Sequence, residues 1–337
     1  MTEFEQTGAA QNALDALWYV SPGKLEIKSE PVPNVGDRVA VVRALHSAIS
    51  RGTERLIFHG KVPESEWERM RAPNQEGAFP FPVKYGYAAV GKVEAGPISL
   101  IGARVFGLFP HQTVFVAEPD KLVKIPQNVP SDRAALAANM ETALNALWDA
   151  MPSPGDHICV VGGGLVGLLT AYLCGQMPGT EVTVVDVNPG RRTVAHKLGL
   201  RFAMPTEAPK EQDLVFHTSA NAGGLETAFK IAGTEAKIIE MSWYGVEKVD
   251  VQLGQDFHSR RLILKSSQVG SIRSDRQARW SFSRRLAKAM ELLDDARLDC
   301  LVTHHVDFIE LPSRLPHILD ANADVIAAVV DYPASDE

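Results

Sequence analysis

Three glycines, Gly162, Gly164 and Gly167, stand in the pattern G-x-G-x-x-G between an apolar run ending at Val161 and another opening at Leu165 and Val166. In that setting the first glycine makes a tight turn, the second lets a diphosphate approach the backbone, and the third lets a helix pack on a strand. The N–H groups that open such a helix are free, and with the helix dipole they favour an anion. About 20 residues on, where a dinucleotide site carries an acid for the ribose hydroxyls, the run E-V-T-V-V leads into Asp186. A carboxylate there bonds the free 2′-hydroxyl of NAD and repels the extra phosphate of NADP. Arg191 and Arg192 follow closely and offer that phosphate a partner, unless they only open a solvated helix. The pattern predicts a dinucleotide site, with NAD as the cofactor and NADP as the alternative.

The elements that must hold this turn are legible around it. From residue 157 onward the runs I-C-V-V, V-T-V-V, L-V-F-H and K-I-I-E alternate with helical stretches. That is the βαβ rhythm of a parallel sheet, whose buried strands read as continuous apolar runs. The N-terminal part differs. Short strands are expected over residues 16–20 and 24–27 around Ser21-Pro22-Gly23, then over 39–47, 90–94, 104–108 and 113–117. Strands this short and this frequent suggest a barrel-like β domain. Residues 60–82 carry Pro63, Pro73, Pro80 and Pro82 and read as a long functional or mobile loop. Ser131 is expected to cap a helix over residues 131–151. Beyond Gly270 the rhythm stops; a helix over 280–295, a strand pair and a last strand over 325–330 should return to the N-terminal domain.

Composition bounds the partners. A chain of 337 residues has room for two domains. Its net charge of −7 gives no basic stripe for a phosphate backbone, so nucleic acid is not an expected partner. The arginine-rich stretch from Arg273 to Arg285 reads as a solvated helix face. Cys159, Cys174 and Cys300 are scattered singly, which suits a reducing compartment rather than a disulfide framework. Residues 1–12 are polar and acidic rather than a signal sequence, and no apolar run reaches the roughly 18–20 residues that span a bilayer. The expectation is a cytoplasmic protein that takes a small-molecule substrate and has no membrane partner.

A β-rich first part, a Rossmann part and a returning tail together resemble the medium-chain dehydrogenase/reductase superfamily, over nearly the whole chain. In its metal-dependent members a Cys-Gly-Thr-Asp run supplies a zinc ligand and a proton-relay threonine. The matching stretch here is Ile49-Ser50-Arg51-Gly52-Thr53-Glu54, with Thr53 at the relay position and Arg51 or Ser50 where the cysteine would be. The family's Gly-His-Glu appears as Gly86-Tyr87-Ala88, and the third ligand position falls near Ala138 and Asn139. Three isolated cysteines cannot rebuild the family's four-cysteine structural zinc lobe. The resemblance therefore implies an enzyme without zinc. The segments I-S-R-G-T-E and G-Y-A-A-V-G-K-V are most similar to the zinc-free branch that contains bacteriochlorophyllide a dehydrogenase. The implied fold class is α/β: a Rossmann doubly wound parallel sheet in residues 138–271, plus a β-rich GroES-like, partly open barrel as catalytic domain in residues 1–137 and 272–337.

The implied activity is NAD(P)-dependent hydride transfer on an alcohol/ketone pair. Hydride transfer is the cofactor's chemistry, so the protein must place a carbon and manage one proton. Without zinc the reacting oxygen needs hydrogen-bond donors, and Ser50, Arg51, Thr53 and Tyr87 are the candidates, each with packing as its alternative. Tyr87 would donate to a carbonyl, its pKa lowered if Arg51 lies close, and Thr53 would pass the proton on. The resemblance also implies that Thr218 and Ser219 meet the adenosine half, and that Ser242, Trp243, Gly270 and Ser271 hold the nicotinamide end. Weaker candidates are Glu54 and His111, which read more readily as surface-turn groups, Glu141 facing the cleft, and the basic run of residues 258–261 meeting phosphate. His304 and His305 read as structural. A homodimer paired through residues 262–266 is expected. Two other readings stay open: an NADPH-dependent reductase of activated C=C bonds in quinones or enones, and a non-catalytic dinucleotide sensor.

Overall fold

The computed structural model describes residues 13–333 apart from 34, 35 and 37. The polar stretch of residues 1–12 lies outside the described residues. The chain opens with a hairpin, β1 (Ala13–Ser21) and β2 (Lys24–Pro31). Its turn works because Pro22 presets φ and Gly23 takes φ +76°, the combination a type II turn needs. Then come β3 (Ala40–Ala48), α1 (Arg51–Phe58), β4 (Glu76–Gly77), β5 (Val83–Lys84), β6 (Ala89–Ala95), β7 (Arg104–Gly107), β8 (Val114–Ala117) and β9 (Val123–Lys124). The expected long loop of residues 60–82 thus contains the edge strand β4 and one 3-10 turn at Glu64–Glu66.

The helix expected over 131–151 is two helices, α2 (Ser131–Ala134) and α3 (Ala137–Ala150). Ser131 is not their cap: Pro130 precedes α2, and the Ser131 hydroxyl instead accepts from Arg104 at 3.0 Å. Met151 ends α3 at φ 54°. The parallel part follows: β10 (His157–Val161), α4 (Leu165–Gly175), β11 (Glu181–Val185), α5 (Arg191–Lys197), β12 (Arg201–Ala203), β13 (Gln212–His217), α6 (Ala222–Ile231), β14 (Ala232–Glu240) and β15 (Ile263–Ser266). The tail is α7 (Ser274–Gln277), α8 (Phe282–Glu291), β16 (Val302–Asp307), α9 (Leu311–Leu319) and β17 (Ala327–Asp331). Where a strand pair and then a last strand are expected, the described tail holds two strands, β16 and β17, parallel and joined by α9, a crossover hidden in the sequence because Pro312 and Pro316 interrupt its apolar spacing.

Three sheets result. The six-stranded one runs β12-β11-β10-β13-β14-β15, all parallel, and reverses its order between β10 and β13. Such a switch point is where doubly wound sheets bind their ligand, outside the carboxyl ends of the strands. Its faces are covered by α3 and α4 on one side and α6 on the other. The other two sheets make the β-rich part, in the orders β2-β1-β5-β4 and β16-β17-β3-β6-β7-β9. The tail returns as expected, with β17 antiparallel to β3. The fold class is that of a Rossmann sheet joined to a GroES-like β unit. Among the described residues no helix is long and apolar enough to cross a membrane.

Candidate active site

The glycine turn is built by close contacts. Gly162 takes φ +115°, and a Cβ there would stand 2.6 Å from Thr218 Oγ1. At Gly167 a Cβ would fall 1.9 Å from the Gly162 carbonyl, so this helix start touches the turn directly. Gly164 differs: nothing lies within 4 Å of where its Cβ would be, and it stands at the N-cap of α4 with no side-chain cap. The turn is thus closed toward the protein and open toward solvent at the helix N-terminus, beside Leu165 and Val166. Asp186 stands at the end of β11, half-buried, and its two oxygens accept from Gly163 N at 2.6 Å and Asn188 N at 2.7 Å. Oxygens held this way keep lone pairs for ribose hydroxyls. A dinucleotide's diphosphate and adenosine ribose fit this cradle.

Across the switch point, Thr218 donates to the Gly162 carbonyl at 2.8 Å, so the end of β13 is tied to the turn. Ser219 stands next to it, and the Ser242 hydroxyl accepts from Ala220 N at 3.0 Å. Trp243 and Tyr244 then reach a cleft of about 360 Å³ between the two parts of the chain, lined on its far side by Arg55, Leu56 and His59. At Gly245 a Cβ would meet the Lys61 carbonyl at 2.4 Å, which brings the loop after β14 hard against the end of α1. Gly270 and Ser271 do not reach this cleft; they line a separate cavity of about 290 Å³ beside Trp280 and Phe282.

At the other end of α1 three hydroxyls meet. Tyr87 donates to Ser50, the N-cap residue, and lies 3.3 Å from Thr53 Oγ1. All three residues are half-buried rather than packed away. Burial raises the Tyr87 pKa, and the two neighbouring hydroxyls only partly offset that, so the phenol is a neutral donor at pH 7. Beneath the cluster lies Glu54, fully buried. It accepts from Ser50 N at 2.7 Å and from the Tyr19 hydroxyl at 2.8 Å, and His111 Nε2 lies 3.2 Å away. Burial works to raise the Glu54 carboxyl, but His111, Tyr19 and the Ser50 N–H together hold it below the ordinary value. The His111 ring continues to Ser47 at 2.7 Å, and Ser47 to the Tyr332 hydroxyl at 2.9 Å. Neither Glu54 nor His111 is the exposed turn residue that its sequence neighbours suggest. Only the tertiary meeting of α1 with the loop after β7 buries them.

No protein-family model matches the chain. An uncharacterized zinc-type alcohol dehydrogenase-like protein of Escherichia coli (strain K12) is 22% identical over 226 residues, 65% of this chain and 63% of that one, so the chain spans just under two thirds of that relative. A zinc-type alcohol dehydrogenase-like protein of Haemophilus influenzae, also uncharacterized, is 32% identical over 249 residues, 67% of this chain and 71% of that one. The chain belongs to the medium-chain dehydrogenase/reductase superfamily. Its fold agrees: the crystal structure of L-idonate 5-dehydrogenase from Escherichia coli superposes with a TM-score of 0.77 at 13% identity, covering 95% of this chain and 98% of that one.

The positions to which the resemblance assigns the family's zinc ligands hold Ser50 or Arg51, Tyr87, and Ala138 or Asn139 in this chain. Among the described residues no three His, Cys, Asp or Glu side chains gather as a metal-holding group. Hydroxyls that remain protonated are poor zinc ligands.

Several expected roles are corrected by position. Arg51 is not beside Tyr87. Its guanidinium donates to the carbonyls of Ile318 at 2.7 Å, Val325 at 2.5 Å and Asp320 at 2.7 Å, so it clamps the tail and cannot lower the tyrosine's pKa. Arg191 is buried, paired with Asp324 at 3.1 Å and donating to Val325 O at 3.3 Å, while Arg192 lies over the Phe202 ring. Arg191 is thus engaged, whereas Arg192 is exposed and its ring contact leaves the N–H groups open to a phosphate. In the 258–261 run, Arg260 pairs with Glu211 and Arg261 with Glu235. Glu141 is buried and held by Arg285 at 2.9 Å. The arginine-rich stretch is no solvated face throughout: Arg285 is buried and also donates to the Val269 carbonyl, and Arg276 and Arg284 stack on Trp148 and Trp280. His305 pairs with Asp331 at 2.9 Å on the surface of β16, in keeping with a structural role.

Proposed function

We propose that this chain is a zinc-independent, NAD-linked oxidoreductase acting on an alcohol/ketone pair, within the zinc-free branch of its superfamily. The observation that carries the reading is the glycine cradle at Gly162, Gly164 and Gly167 with Asp186 beside it. The nicotinamide, when bound, supplies or accepts the hydride. The chain's own residues do the rest. Asp186 holds the adenosine ribose, the open N-terminus of α4 takes the diphosphate, and Thr218, Ser219, Ser242 and Trp243 line the path toward the interdomain cleft. Gly270 and Ser271 would reach it only by closure of the loop after β15.

The Ser50–Tyr87–Thr53 hydroxyls take the part of a Lewis acid. In ketone reduction Tyr87, kept protonated by burial, would turn its O–H from Ser50 to the substrate oxygen, protonate it as the hydride arrives and be reprotonated through Ser50 and Thr53; alcohol oxidation runs the same relay in reverse. The non-catalytic sensor gains instead if Thr53 and Tyr87 do not face the bound nicotinamide. Residues 1–137 with 272–337 would form the catalytic domain and 138–271 the nucleotide domain. A cytoplasmic location and pairing of two copies through the edge of β15, where Ile263 and Leu264 are exposed, belong to the same proposal.

The test is a fluorescence titration with NADH and, separately, NADPH. NADH binding at least tenfold tighter, about 1.4 kcal/mol, supports Asp186 as the ribose anchor and is followed by secondary alcohols with NAD. Tighter NADPH binding overturns the NAD assignment and moves reduction of activated C=C bonds to first place. Binding of neither overturns the reading.

A further inference from the structure

Strands β13 and β14 pair in register, so His217 and Glu240 are direct neighbours on the sheet face covered by α6. His217 Nδ1 lies 2.8 Å from Glu240 Oε2, and its Nε2 lies 2.7 Å from Ser219 Oγ. The histidine is fully buried. Around it stand Tyr244, whose hydroxyl donates to Glu240 at 3.2 Å, and Ser242, whose N–H donates to Glu240 at 2.8 Å. Burial works against the Glu240 carboxylate, yet His217 and Ser242 hold its pKa below the ordinary value, so it stays an anion.

Ser, His and Glu in this order resemble a nucleophilic triad, but the geometry excludes that use. A Cβ on Gly224 would fall 2.1 Å from Ser219 Oγ and 2.9 Å from His217 Nε2. The serine oxygen is therefore pressed under the start of α6 and has no room for an incoming carbonyl. What the triad does hold is backbone. It fixes Ser219 on one side, next to Thr218 and the glycine turn, and Ser242 and Tyr244 on the other, at the interdomain cleft.

A dinucleotide whose adenosine ribose is at Asp186 and whose diphosphate is at α4 must lay its second ribose over the carboxyl ends of β13 and β14 to reach the hydroxyl cluster. We propose that Ser219, His217 and Glu240 form a positioning triad, centred on the buried His217, that shapes the seat of the nicotinamide ribose. The inference rests on the dinucleotide reading above. It assigns these residues to the nicotinamide half of the cofactor, not the adenosine half that the family resemblance gave to Ser219.

Calorimetric titration with NADH and with ADP, which lacks the second ribose, separates the two halves. In Glu240→Gln the charge that orients His217 is removed while shape is kept. The expected result is NADH affinity weakened about tenfold and ADP affinity changed less than twofold, with His217→Gln behaving alike. Equal weakening of both ligands, or of neither, overturns the triad's role and leaves the dinucleotide reading intact. Should Glu240→Gln not fold, Ser219→Ala carries the same expectation of an NADH-specific loss, and its absence there overturns the proposal. Failure of the unaltered protein to bind either ligand overturns both inferences together.

Discussion

Gly167 lies in the first turn of α4, where exchanging glycine for alanine would ordinarily stabilise a helix by about 1 kcal/mol. Here the sign reverses. The new Cβ would stand 1.9 Å from the Gly162 carbonyl, against 3.4 Å for an ordinary contact, so one side must retreat by 3.4 − 1.9 = 1.5 Å. The turn has little freedom to retreat, because Gly162 is itself backed by Thr218 Oγ1 at 2.6 Å from its own Cβ position. Overpacking of this kind costs about 1–3 kcal/mol. Gly167→Ala should therefore lose roughly 2 kcal/mol of stability in urea unfolding, and NADH affinity should fall with it because the turn is displaced. Gly164→Ala is the companion. Its Cβ meets no protein atom within 4 Å, so stability should stay within about 1 kcal/mol of the parent. NADH affinity should still drop at least tenfold, since the methyl enters the space left for the diphosphate. A Gly164→Ala protein that binds NADH like the parent would refute the assignment of that open space. A Gly167→Ala protein of parental stability would refute the contact argument itself.

Four other outcomes follow from the same geometry. Tyr87→Phe should lower turnover by about 10²–10³-fold while leaving the NADH dissociation constant within twofold, measured by steady-state kinetics beside the titration. Arg51→Met strands three close carbonyl acceptors and should cost on the order of 3 kcal/mol in urea unfolding, with no effect on the pH profile of whatever activity remains. Glu54 has a folded-state pKa below its unfolded value, so its contribution to stability is present above roughly pH 4.3 and fades as pH falls through the folded pKa. Glu54→Gln should accordingly flatten the acid limb of a thermal-melt series below that pH. Prolonged dialysis against a chelator should leave turnover unchanged, and a loss restored by added zinc would sink the metal-free mechanism.

The proposed nucleotide site is legible in the sequence because its signals are local. A turn of three glycines, an apolar strand before it and an acid after the next strand lie within 30 residues of one another, from His157 to Asp186. The proposed catalytic residues are harder to read. Ser50, Thr53 and Tyr87 could be located only by likeness to a motif whose metal ligands are absent. Glu54 and His111 read as surface residues, because nothing in G-T-E-R or F-P-H-Q says that the two segments meet in the interior. The same holds for Arg51 and Arg191. An arginine's sequence neighbours give no warning that its partners will be main-chain carbonyls near residue 325. The histidine of β13 is a sharper case, since its partner Glu240 is set by strand register rather than by spacing along the chain.

One carbonyl in the tail has a mechanical consequence. Val325 O accepts from Arg51 at the start of α1 and from Arg191 at the start of α5, one in the β-rich part and the other on the parallel sheet. Two charged forks from different bodies thus grip a single peptide group, with Asp324 adding a pair to Arg191. The peptide at Val325 is thus a tether common to both parts, and only a change in their relative angle that turns about it keeps both hydrogen bonds.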